Sequence, residues 1–241
     1  YHFEGYAWYS KEIEIKPEWV EKNIVLFLER TRISTVFVDG VEINTLDSLC
    51  GFHEHDLNGK LTPGVHVLTI RVDNTGYATK GGHMTSPDTQ TNWNGILGRI
   101  ELQIREKVYP KNLQVYAWTP QEVKITADVH GLAEGSAKVE VRRKEGELLR
   151  EEVCSFKDGK LESTLALEGE DLLWDEYHTN LLEASVIVAE ECITANFGIR
   201  DLSREGRKLL VNGKQVFWRG KHDGLVFPYT GYAPMSVEEW K

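Results

Sequence analysis

Apolar and polar residues alternate with a period of two through most of this 241-residue chain, and that periodicity is its tightest constraint. Successive side chains of a strand point to opposite faces, so the pattern places one face in a core and the other in water. Val123, Ile125, Ala127 and Val129 alternate with Lys124, Thr126, Asp128 and His130, and Val139 and Val141 repeat the spacing. Ile100, Leu102 and Ile104 do the same against Glu101, Gln103 and Arg105, as do Ile13 and Ile15 against Glu12 and Glu14. Runs of β-formers at 23–29, 34–38 and 65–72 are set apart by the turn sequences Asp39-Gly40 and Asp73-Asn74-Thr75-Gly76. No helical pattern interrupts them. The spacing predicts a mainly β chain of two sandwiches. The first is a jelly roll over 1–105. After a break at Pro110, about seven short strands over 106–199 match the count of an immunoglobulin-like sandwich.

The register changes over 200–241. Leu209-Leu210-Val211 and Val216-Phe217-Trp218 flank Asn212-Gly213, the pair that most readily takes both left-handed positions of a type I′ hairpin. A loop rich in Gly, Pro and aromatics follows. Then Ser236 and Glu239 have the spacing of a capping box, which predicts a helix start. Strand, long loop and helix form the opening unit of an α/β domain. One helical turn does not persist without burying a face, so the segment reads as a unit cut short. A jelly roll that lacks an edge strand exposes unpaired backbone groups and pairs readily with another chain, so a homo-oligomer stays open.

Composition excludes several functions. The net charge of −10, from 38 acidic and 28 basic residues, argues against a nucleic-acid partner. The one basic cluster, Arg142-Arg143-Lys144, is flanked by Glu140, Glu145 and Glu147. No apolar run reaches the ~20 residues of a membrane-spanning helix. Cys50, Cys154 and Cys192 lack the close spacing of a zinc site, and the sequence does not choose a disulfide pair among them. His53-Glu54-His55-Asp56 puts two imidazoles on one side of a strand, half of a metal site with no second half in view, so a solvated strand is expected and no metal is assigned. Neither a nucleophile motif such as G-x-S-x-G nor a phosphate-binding glycine loop is present, and no cofactor is implied.

Two stretches remain as candidate sites. The loop 81–94 exceeds the usual length inside a compact domain and carries Gln90, Asn92 and Trp93. Amides beside an indole are the mixture a carbohydrate pocket uses, although a Trp of that size serves equally well in a core. Arg219, His222 and Asp223 stand where the last loop leaves its strand. Read alone, they make a surface ion pair worth little.

Several segments together resemble glycoside hydrolase family 2, which includes β-galactosidases, β-glucuronidases and β-mannosidases. Gly5-Tyr6-Ala7-Trp8-Tyr9 with Pro17-Glu18-Trp19 resembles the family's aromatic first strand and turn, and Val36-Phe37-Val38-Asp39-Gly40 a strand end that usually carries Asn. Cys50-Gly51-Phe52 through Asp56-Leu57 and Trp93-Asn94-Gly95-Ile96 through Leu102 follow in the family's order. Trp174 to Leu182 resembles a segment that in the family has two prolines, absent here, and Asn196 to Arg200 resembles its "F-G-x-R" strand. Arg219-Gly220-Lys221-His222-Asp223 resembles the first loop of the family's (β/α)8 barrel, with Lys221 where Asn is usual and a shorter spacing.

The resemblance implies a galactose-binding-like jelly roll over 1–105, an immunoglobulin-like domain over 106–199 and the truncated first βα unit of the barrel over 200–241. It implies a β-glycoside substrate contacted by Arg219, His222, Asp223, Gln90, Asn92 and Trp93. A retaining glycosidase needs two carboxyl groups about 5 Å apart. In the family these are glutamates on later barrel strands, so no catalytic residue is expected within 1–241. Two readings from other classes are a free-standing carbohydrate-binding module and a β-sandwich interaction protein. The second gives no reason for the Gln90 loop or the Arg219 run.

Overall fold

A computed structural model describes residues 3–48, 51–76, 95–144, 146–169, 171–220, 234 and 236–241. The chain divides into two compact units, Tyr1–Arg105 with Gly220–Lys241, and Glu106–Arg219.

In the first unit the strands are β1 (Tyr6–Ile15), β2 (Asn23–Thr31), β3 (Ile33–Val38), β4 (Val41–Leu46), β5 (His53–Asp56), β6 (Gly64–Asp73) and β7 (Ile96–Arg105). They form two antiparallel sheets, in the orders β1-β6-β3-β4 and β5-β2-β7. Ile15, Val36, Val38, Leu68, Ile70 and Val72 from the first sheet share a core with Ile24, Leu26 and Leu28 from the second. β2 lies in the middle of its sheet, and Val25 and Phe27 on its other face are buried as well. That double burial is why 23–29 reads as a continuous apolar run. β7 is an edge strand, and its alternation is correspondingly only half used: Leu102 and Ile104 pack on the core while Ile100 is 52% exposed.

Asp39 and Gly40 join β3 to β4 with φ of 50° and 80°, the two left-handed positions of a type I′ turn. The Asp39 side chain ties the turn to β6. Its Oδ1 accepts from the Val67 amide at 2.7 Å, and its Oδ2 lies 2.6 Å from His66 Nδ1. A four-residue helix, α1 (Val237–Trp240), carries the predicted capping box, with Ser236 Oγ accepting from the Glu239 amide and Glu239 Oε2 accepting from the Ser236 amide.

The second unit contains β8 (Tyr109–Thr119), β9 (Glu122–His130), β10 (Gly135–Arg143), β11 (Leu148–Phe156), β12 (Lys160–Leu165), β13 (Leu182–Val188) and β14 (Glu191–Phe197). Its sheets run β12-β9-β8 and β11-β10-β13-β14. The alternation on β9 is used in full. Val123, Ile125 and Ala127 enter a core with Val139, Val141, Ala184 and Val186, while Lys124 pairs with Glu162 at 2.8 Å and Asp128 with Lys160 at 2.6 Å on the outside. The basic run is neutralised internally, Arg142 by Glu140 and Arg143 by Glu147, each at 2.9 Å. Cys154 and Cys192 are free thiols, and Cys50 lies outside the described residues. Between β9 and β10, Gly131 has φ +81°, and a Cβ there would stand 2.0 Å from the Lys107 carbonyl oxygen. A third sheet, β15 (Leu202–Glu205), β16 (Lys208–Val211) and β17 (Lys214–Val216), closes this unit.

Two neighbouring residues on β9 test this partition of faces. Ile125→Ala, at a fully buried position, is expected to lower unfolding stability by about 2–5 kcal/mol, whereas Thr126→Ala on the outer face should stay within about 0.5 kcal/mol of the parent. Urea unfolding followed by circular dichroism measures both; equal losses would contradict the assigned register.

Candidate functional site

Of the six residues expected at a sugar site, the structure describes one. Arg219 is exposed and lies just beyond β17. His222 and Asp223, and Gln90, Asn92 and Trp93 of the long loop, lie outside the described residues. What can be followed is how the chain frames these segments.

The frame behind Arg219 begins at the Asn-Gly hairpin. Asn212 and Gly213 have φ of 50° and 74°, so β16 and β17 are joined by the predicted type I′ turn. The strand ends at Val216, earlier than the apolar run indicates, and Phe217 and Trp218 are 79% and 70% exposed. Asn212 does more than permit the turn. Its amide donates to the Asp201 carbonyl at 2.9 Å, its Oδ1 accepts from the Asp201 amide at 2.9 Å, and its Nδ2 donates to the Trp174 carbonyl at 3.0 Å. Trp174 in turn donates its amide to the Ile199 carbonyl at 2.8 Å and lies under the Arg200 guanidinium, 4.9 Å from its ring centre.

Gly198 is packed so closely on that indole that a Cβ would be 2.9 Å from Trp174 side-chain atoms. Three stretches far apart in sequence, 174–180, 196–200 and 212–213, thus form one junction. The loop after Trp174 lacks the two family prolines and is shaped by Asp175 instead. Asp175 Oδ1 accepts from the amides of Tyr177 and His178 at 2.9 and 2.7 Å, an Asx-type turn. Those hydrogen bonds hold the Asp175 carboxyl below the usual range.

The long loop leaves β6 in one sheet and enters β7 in the other, and its ends are clamped. Asp73 Oδ1 accepts from both the amide and the hydroxyl of Thr75 at 2.7 Å. Asn74 Oδ1 accepts from the Gly5 amide at 2.8 Å while its Nδ2 donates to the Phe3 carbonyl at 2.7 Å. At the far end Thr31 Oγ1 donates to the Gly95 carbonyl at 3.1 Å.

His53 and His55 correct the expectation of a solvated strand. They are 1% and 0% exposed, inside the first sandwich. Ser34 on β3 stands between them, its Oγ 2.6 Å from His53 Nδ1 and 2.8 Å from His55 Nε2. One assignment of protons keeps both rings neutral and satisfies Ser34 and both imidazoles, with the Ser48 carbonyl also 3.0 Å from His53 Nε2. The Ser48 amide donates to His53 Nε2 at 3.1 Å, His53 Nδ1–H to Ser34 Oγ, the Ser34 hydroxyl to His55 Nε2, and His55 Nδ1–H to Asn44 Oδ1 at 2.6 Å. The relay joins β3 and β4 of one sheet to β5 of the other. Burial holds both rings below the ordinary histidine range, and the neighbouring His53 adds to the effect on His55, which is lowered to about 4. A proton added to His55 at Nε2 would set it against the Ser34 hydroxyl, whereas one added to His53 at Nε2 meets the Ser48 carbonyl as an acceptor. Among the described residues no group of three or more His, Cys, Asp or Glu is placed to hold a metal ion. The period-two pattern could have revealed this network, since it puts both rings on one face; the charged residues Glu54 and Asp56 masked it.

No protein-family model matches the sequence, nor does any curated protein. Solved structures do. A β-glucuronidase of Faecalibacterium prausnitzii superposes with a TM-score of 0.73 at 19% identity, over 90% of this chain and 41% of that one. A Ruminococcus gnavus β-glucuronidase in complex with uronic isofagomine gives 0.70 at 20% identity over 90% and 39%. Its complex with D-glucuronic acid gives 0.69 at 20% identity over 90% and 40%. The chain shares its fold with part of these enzymes. It spans about two fifths of their length.

Two outcomes follow from the frame. Asn212→Ala puts a residue that tolerates the left-handed region less well than Asn at this position and removes two side-chain hydrogen bonds, an expected loss of about 2–4 kcal/mol; Asn212→Gly, which keeps the turn, should lose less, and thermal unfolding of the two ranks them. For the buried relay, the folded pKa lies below the unfolded one, so the unfolded state holds more protons below about 6.5. Its contribution is therefore complete above that pH and declines toward the folded value of about 4, by on the order of 3 kcal/mol for His55. His66, raised by its bond to Asp39, acts in the opposite sense, its stabilisation being complete below the unfolded value and lost as pH rises through the folded one. Melting temperatures of the parent should fall between pH 6.5 and 5, and His55→Gln should flatten that slope.

Proposed function

We propose that residues 1–241 are the N-terminal, non-catalytic part of a retaining β-glycosidase of glycoside hydrolase family 2. The observation that carries the reading is the junction of Trp174, Arg200 and Asn212. The two motifs that resemble the family in the second unit meet there, and the hairpin leading to Arg219 is latched onto them. The fold likeness to β-glucuronidases supports the reading independently. In the second unit the arrangement of β12-β9-β8 against β11-β10-β13-β14 fits an immunoglobulin-like domain of seven strands. The two sheets of the first unit fit a jelly roll of the galactose-binding kind.

In this reading 200–241 opens a (β/α)8 barrel, and the exposed Phe217 and Trp218 become interior or interface groups of that barrel. Arg219, His222 and Asp223 line its mouth, where catalytic groups of such barrels gather. Gln90 and Asn92, with Trp93, approach the same β-glycoside from the long loop. The acid and the nucleophile are two glutamates outside these residues, about 5 Å apart, and this part of the protein completes and scaffolds the substrate site without reacting itself.

The test is expression of the complete reading frame beside residues 1–241, with both screened on 4-nitrophenyl β-D-glucuronide, β-D-galactoside and β-D-mannoside. The complete product is expected to hydrolyse one of these with retention of configuration, and residues 1–241 none. Within an active product, Arg219→Ala and Asn92→Ala should each lower kcat/KM by about tenfold or more, roughly 1.4 kcal/mol. A reading frame with no such glutamates and no hydrolysis would leave the carbohydrate-binding module as the better account.

A further inference from the structure

The outer face of the sheet β12-β9-β8 has no part in the reading above and carries its own set of ligand-binding features. Tyr116 and Trp118 project from it two residues apart on β8, 40% and 52% exposed, while Val115 and Ala117 between and beside them face the core. Their rings lie nearly parallel, 17° between planes and 6.0 Å between centres. Next to them is an open depression of about 570 Å³, lined by Asn112, Gln114, Thr126, Asp128, Lys160 and Glu162 among others.

The register explains why these residues share one surface. Gln114 pairs with Thr126, Tyr116 with Lys124, and Thr126 and Asp128 with Glu162 and Lys160. Asn112, at φ 54° in the bulge of β8, is turned so that its Nδ2 donates to Asp128 Oδ2 at 2.7 Å. Lys160 donates to the other oxygen of Asp128 at 2.6 Å, and Lys124 pairs with Glu162. Every carboxylate of the depression therefore has its cation, which disfavours a polyanion or a polycation. Tyr116 Oη donates to Gln114 Oε1 at 2.6 Å, which turns the amide's NH2 group away from the tyrosine. Among the described residues neither that NH2 group nor the Thr126 hydroxyl forms a hydrogen bond.

We propose that this face is a binding site for a neutral, extended β-linked oligosaccharide. Apolar sugar faces stack on Tyr116 and Trp118, and hydroxyls of the next unit bond to Gln114, Thr126 and the Asp128–Lys160 pair. A second exposed aromatic cluster, on the sheet β1-β6-β3-β4, lacks this property. There Arg71 lies 4.9, 5.8 and 5.9 Å from the ring centres of Tyr6, Trp8 and Phe37, so those rings are already engaged by a guanidinium. No cation covers Tyr116 or Trp118 among the described residues. The inference stands on this surface alone and does not draw on the glycosidase reading.

Isothermal titration calorimetry of the 241-residue protein with cellohexaose and with xylohexaose tests it. At least one hexasaccharide is expected to bind. Trp118→Ala and Gln114→Ala should weaken binding by at least about tenfold, Trp118→Phe should retain most of it, and Trp8→Ala should leave it unchanged. Circular dichroism melts of each variant separate lost binding from lost folding. Absence of heat with both probes, or affinity indifferent to Trp118→Ala in a folded variant, overturns the proposal. Sedimentation velocity showing a dimer that Trp118→Ala dissolves, with no glycan binding, overturns it in favour of self-association.

Discussion

Burial of one face of each sheet against its partner is the constraint on which the rest of this molecule depends. In each unit apolar side chains from two sheets close a common core, and the alternation on β9 and β6 is that burial written into sequence. At about 25 cal/mol per Å² of apolar surface removed from water, such a face outweighs any single polar contact here. Once the faces are fixed, most polar groups are forced outward, into turns or into hydrogen-bonded interior networks. The salt bridges of Lys124, Lys160 and Arg142 are consequences of that sorting, and exposed pairs of this kind add little stability of their own.

The interior network of the first unit shows what the constraint permits. A buried hydroxyl, amide or imidazole is costly unless each hydrogen-bonding group finds a partner. Ser34, His53, His55 and Asn44 meet that condition by circulating hydrogen bonds from one sheet to the other. An apolar core slides more readily than a directional one, so the relay specifies how β5 sits against β3 and β4 while tying stability to pH.

Legibility in the sequence followed the range of the interaction. Type I′ turns at Asp39-Gly40 and Asn212-Gly213 and the capping box at Ser236 are local, decided within four residues, and were readable as such. So was the alternation of β9. The fate of His53 and His55 depended on Ser34 and Asn44, which lie in another sheet, and two neighbouring acidic residues pointed the other way. β17 stopping at Val216 is likewise non-local, because nothing among the described strands pairs with Phe217 and Trp218 to extend it. The stacking of Arg200 on Trp174 joins positions that no single window of sequence contains. Of the candidate sugar contacts, only Arg219 falls among the described residues.

The low identity to the β-glucuronidases, 19–20% over 90% of this chain, fits the same logic. A two-sheet core asks for hydrophobicity and volume at alternate positions and tolerates many side chains that supply them. Positions such as Gly198, where a Cβ would overlap Trp174, or Asn212, which needs a left-handed backbone and three hydrogen bonds at once, tolerate few. The junction at Gly198 and Asn212 holds the hairpin that leads to Arg219, so the placement of that residue is set by the least replaceable positions of the scaffold.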